Sequence, residues 1–152
     1  MNKNRLSARE QALWHALKRL GETVLARVGS EIETATGISG SDFAILSRLE
    51  DLGGGTLSQQ ALLQSLDWEK SRLSHQLTRM EARGLVARVS QDTARAINIA
   101  LLPAGADAIA AARPAHAKAV RAVLRQIDEE DGHRLIALME RLEGRGSARR
   151  PV

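Results

Sequence analysis

The residues of this chain best suited to chemistry lie in WEKSRLSHQLTRMEARGLV, residues 68–86, and the chemistry they suit is recognition rather than bond breaking. At roughly 100° per residue, Leu73, Leu77 and Met80 fall on one side of a helix at i, i+4 and i+7. The opposite side carries Ser71, His75, Thr78 and Ala82, flanked by Arg72 and Arg79. A face kept wet only for solubility is normally filled with Glu and Lys in i, i+4 pairs. This one is short, offers hydrogen-bond donors and acceptors, and is bordered by guanidinium groups. Taken in isolation it is still the face of a solvated helix, so the neighbouring elements must decide. Catalysis has less to stand on: there is no nucleophile elbow, phosphate-binding loop, metal motif or pair of catalytic carboxylates. His15, His116 and His133 are scattered without His-x-x-x-His spacing, and cysteine is absent, so no metal and no cofactor is expected.

The elements that must position this face are clearly punctuated. The chain has 152 residues, 43% hydrophobic but only 2% aromatic, so one domain with an aliphatic core is expected. Its formal net charge of +4, from 22 Lys and Arg against 18 Asp and Glu, permits a polyanionic partner. The opening MNKNRLSARE has no apolar core for a signal peptide, and no apolar run reaches the roughly 18 residues of a membrane span. A soluble cytoplasmic protein is expected. Ser7 and Glu10 form a capping-box pattern before a long helix carrying Leu13, Leu17, Leu20, Val24 and Val28, which should break near Gly37. Ser39 or Ser41 caps a second helix with Phe43, Leu46 and Leu49 inward, stopped by three glycines at 53–55. Thr56 and Gln59 make another capping-box pattern before a short helix, and Asp67 is placed to cap the helix of residues 68–86. LVARV and INIAL then read as a β-hairpin around SQDTARA. From Ala104 the sequence is helical again, with Pro114 expected to kink rather than end the helix. Asp128 caps a last helix in which Leu135, Leu138, Met139 and Leu142 share a face, and residues 144–152 should fray as a basic tail.

Short helix, tight turn, helix and hairpin is the order of a winged helix-turn-helix: a mainly α fold with a small β-hairpin wing. In that arrangement the second helix of the turn enters the major groove of double-stranded DNA, where a slim face must offer donors and acceptors to base edges. Ser71, His75 and Thr78 meet that requirement, and Arg72 can address guanine O6 and N7 in bidentate fashion. Lys70 can hold a phosphate; Ser58, Ser74 and Arg79 complete the DNA-facing set. Trp68 either contacts the DNA backbone through its indole N–H or packs at the helix start. Arg95, at the hairpin tip, is placed for the neighbouring minor groove. Between residues 68 and 95, Lys70, Arg72, Arg79, Arg83, Arg88 and Arg95 outnumber Glu69, Glu81 and Asp92.

With these residues in place, the segment from about Leu57 to Gly105 resembles the MarR (multiple antibiotic resistance regulator) family of bacterial transcription factors. The resemblance rests on LSQQALLQSL, KSRLSHQLTRMEARGLV, the wing arginine Arg95, and LLPAG opening the next helix. It implies a single MarR-like domain over 1–152, with the winged helix-turn-helix at 39–103 and dimerisation helices at 6–36 and 104–143. It also implies a homodimer on pseudo-palindromic DNA, usually a repressor, often released by a small aromatic or anionic effector. By the same resemblance the effector pocket would involve Trp14, His15, Phe43 and Arg48. Two positions depart from the family pattern: Thr93 stands two before Arg95 where an aspartate is usual, and Leu102 replaces a helix-capping threonine. A winged-helix module for protein contacts, or a DNA-binding regulator without ligand response, are the alternative readings.

Overall fold

Residues 5–90 and 96–147 are described by the computed structural model, with side chains through residue 144. The hairpin tip with Arg95, and the end of the basic tail at 148–152, lie outside the described residues. Helix α1 (Ala8–Thr36) starts on the expected capping box, in which the Ser7 and Glu10 side chains each accept the other residue's backbone N–H, and ends on Gly37 in the left-handed conformation. Helix α2 (Gly40–Gly53) is capped by Ser39, with Asp42 as the reciprocal partner, and closes on left-handed Gly54. Strand β1 (Thr56–Ser58), helix α3 (Gln59–Leu66), helix α4 (Lys70–Ala82), strands β2 (Val86–Ser90) and β3 (Ile97–Leu101), and helices α5 (Pro103–Leu124) and α6 (Glu129–Ser147) follow. The described residues form two compact units, one through Ala119 and one from Val120 onward.

The mainly α fold with a small wing is as the sequence pattern predicts, and several local readings are corrected. The sheet has three strands, ordered β1-β3-β2, because Thr56, Leu57 and Ser58 pair antiparallel with Ala100, Ile99 and Asn98. That ladder takes up Thr56, so the cap of α3 falls to Ser58, whose Oγ accepts the Ala61 N–H at 3.1 Å. Asp67 does not cap α4: it ends α3 in the left-handed region at φ 52°, and Glu69 stands at the N-cap without a side-chain bond. Helix α5 runs on through Pro114. Asp128 does cap α6, accepting the Asp131 N–H at 2.8 Å.

The core of the first unit is aliphatic, as the shortage of aromatics requires. Ile45, Leu46, Leu49, Leu62, Leu73, Leu77, Met80, Ile99 and Ile109 are fully buried. Three of these form the inward stripe of α4. A 13-residue helix is marginal alone, and each such side chain withdrawn from water contributes about 1.5–3 kcal/mol, so this stripe both holds α4 in place and fixes which face it presents. No helix among the described residues is long and apolar enough to cross a membrane.

Candidate nucleic-acid interface

With Leu73, Leu77 and Met80 buried, the geometry of α4 leaves Lys70, Ser71, Arg72, His75, Thr78 and Arg79 exposed, while Ser74 is half-buried. These exposed side chains of α4, predicted from the sequence to face DNA, are therefore brought together on one helix. Ser58 is also half-buried; its hydroxyl caps α3 and borders a groove of about 260 Å³ that Lys70 and Ile97 also line. Lys70, Arg72 and Arg79 make no ion pair among the described residues, whereas Arg83 pairs with Asp42 and Arg88 with Glu81. Within α4 and β2, the cations left without an ion pair are thus those on the exposed face of α4.

Arg88 does more than add charge. Its backbone N–H donates to Glu81 Oε1 at 2.8 Å, and its Nη2 donates to the Ser74 carbonyl at 3.0 Å, where the Thr78 hydroxyl also donates at 3.0 Å. Strand β2 is thereby tied to α4. Composition alone shows Arg88 only as a cation; its register on β2, seven residues from Glu81, is the signal that identifies the tie.

The start of α4 borders a second feature. The Arg72 guanidinium lies over the Trp68 ring, 3.9 Å from its centroid. Both residues line a cavity of about 660 Å³ shared with Phe43, Arg48, Glu33 and His116. A close approach of Gly29 in α1 to Gly40 in α2 shapes its wall: a Cβ on Gly40 would lie 3.0 Å from the Gly29 Cα. Phe43 and His116 stack at 4.4 Å with an interplanar angle of 21°. Burial first, and then the charge of Arg113, lower the pKa of the His116 imidazole and so favour its neutral form. Arg48 donates to the carbonyls of Ser65 and Ala44, both at 3.4 Å. Of the four residues expected at an effector pocket, Phe43 and Arg48 line this cavity. Trp14 and His15 do not line it and are exposed on α1; Trp68, Arg72 and His116 line it as well. No sequence spacing joins His116 to Phe43, because the contact is made only when α5 returns to α2.

A buried-stripe helix presenting short polar groups and guanidiniums, tied to a three-stranded sheet, is the arrangement of a winged helix-turn-helix. Residues 36–96 match the family model described as MarR family, which supports a MarR classification for that segment. The fold is that of AbsC, a MarR family regulator from Streptomyces coelicolor, at 24% identity over 95% of this chain and 99% of that one, with a TM-score of 0.81. It is also that of Sco3205 from the same organism, solved in complex with DNA, at 20% identity over 93% and 90% of the two chains and a TM-score of 0.78. The organohalide-sensing regulator RdhR-CbdbA1625 in its 2,4-dichlorophenol-bound form matches at 21% identity over 95% and 85%, with a TM-score of 0.78. No curated protein matches the sequence.

Proposed function

We propose that this regulator is a cytoplasmic repressor that binds a pseudo-palindromic operator as a homodimer and is released by a small aromatic anion. The observation that carries the DNA reading is the exposed face of α4, where Ser71, Arg72, His75 and Thr78 stand opposite a fully buried apolar stripe. Ser71, Arg72 and His75 address base edges, while Lys70 and Arg79 address phosphates. Arg95 is assigned the minor groove beside the wing.

Dimerisation is supported by apolar surface that a single chain leaves in water. Leu13, Trp14, Leu17 and Leu20 of α1 are each about half exposed, and in the second unit so are Ile136, Met139 and Leu142 of α6. A second copy is the natural cover for faces of this kind. Selection of bound sites from random DNA should return an inverted repeat with half-sites about one helical turn apart, bound more weakly as salt rises. Sedimentation should show one dimer on each site. A monomer seated on a single half-site would remove the dimer from this reading.

The effector reading rests on the composition of the large cavity, in which aromatic walls (Phe43, Trp68, His116) meet the cations Arg48 and Arg72. RdhR-CbdbA1625 binds 2,4-dichlorophenol, and BpsR from Bordetella bronchiseptica is regulated by 6-hydroxynicotinic acid. Both are small aromatic rings bearing polar substituents. Calorimetry with a panel of salicylate-like compounds should give saturable heat that Arg48→Ala diminishes. Absence of heat across the panel would leave a regulator without ligand response.

A further inference from the structure

Asp42 is the most deeply buried charged side chain among the described residues, at 1% exposure. Capping α2 explains only one of its contacts, in which Oδ2 accepts the Ser39 N–H at 2.9 Å. An exposed carboxylate would serve that purpose without the desolvation cost of burial. The same Oδ2 also accepts from Arg83 Nη1 at 2.7 Å, and Oδ1 accepts from Gln76 Nε2 at 2.7 Å. Gln76 is itself 5% exposed and lies within α4. A carboxylate only accepts, so Asp42 dictates that the Gln76 amide turns its NH₂ inward and its Oε1 outward. That oxygen accepts from Nη2 of Arg79, an exposed residue that has no acidic partner among the described residues.

We infer that Asp42 and Gln76 are positioning residues for DNA recognition. Together they form a relay from the cap of α2 through the core that orders the Arg79 guanidinium for a backbone phosphate before DNA arrives. Ordering the side chain in advance reduces the entropy lost on binding. The inference rests on the DNA-binding reading above.

The test is a double-mutant cycle on the selected DNA site, measured over several salt concentrations. Gln76→Met keeps length and volume but removes both links of the relay, and should weaken binding about tenfold. Arg79→Ala should weaken binding and lower the magnitude of the salt slope by about one per subunit. In the Arg79→Ala background, Gln76→Met should cost no further affinity. Asp42→Asn supplies a second cycle should Gln76→Met fail to fold: its amide can no longer accept from all its donors, so the Gln76 amide is no longer held in one orientation and the same non-additivity is expected. Equal penalties with and without Arg79 would overturn the relay while leaving DNA binding intact. A wild-type chain that selects no DNA sequence would overturn both.

Discussion

Gly105→Ala should destabilise the fold by about 3 kcal/mol, at the upper end of what overpacking usually costs. A Cβ at this position would lie 2.1 Å from the Leu85 carbonyl oxygen and 2.9 Å from a Leu101 methyl. The methyl can rotate away. The carbonyl cannot, because it is backbone and already accepts the Leu102 N–H at 3.1 Å. Leu85 leads directly into β2, so the first turn of α5 and the root of the wing are in contact only because residue 105 has no side chain. Relief requires moving one from the other, with loss of the Leu85–Leu102 bond. Urea unfolding should show a lower midpoint with an unchanged slope, and the variant's DNA affinity should fall further than that of a surface substitution on α5. An unshifted midpoint would mean that the wing root yields freely.

What was legible in the sequence was what is local and periodic. The Leu73, Leu77, Met80 stripe, the Ser7–Glu10 box, the Gly37 stop and the Asp128 cap each depend on residues within about two turns, and each appears as expected. Strand β1 was not legible, because three residues have no periodicity to read and are a strand only through pairing with β3. The same pairing moved the α3 cap from Thr56 to Ser58. Asp42 reaches Gln76 and Arg83 across 34 and 41 residues, a link visible only once α2 and α4 cross. The first-helix stripe had the right period, yet Leu13, Leu17 and Leu20 stay exposed while Val28 is buried. Periodicity states that a face needs cover, not which surface supplies it. Within the candidate site, the exposed residues of α4 followed from the wheel. Their pairing did not: neither the Arg88–Glu81 pair nor the stack of Arg72 on Trp68 follows from composition or spacing.

Arg72→Ala should weaken binding to the selected operator by about 1–3 kcal/mol and relax preference at one position of each half-site. The stack on Trp68 decides what should happen next to it. A cation–π contact at a partly exposed site is worth about 0.5–1 kcal/mol, less than a bidentate guanine contact, so Arg72 should leave the ring when a base is offered. The stack then competes with DNA rather than supporting it. Trp68→Leu, which removes the ring but keeps an apolar side chain at the start of α4, should bind DNA as tightly as the parent or up to about 1 kcal/mol more tightly. If Trp68 instead held a phosphate through its indole N–H, the same variant would bind more weakly, so the sign of the change separates the two roles. Arg72→Lys should behave like Arg72→Ala in specificity, since an ammonium lacks the planar fork, while recovering part of the non-specific affinity. Binding isotherms for the three variants against the selected site and a scrambled one would decide the matter. A Trp68→Leu loss equal to that of Arg72→Ala would show the two residues acting as one DNA-contacting unit and would remove the competition.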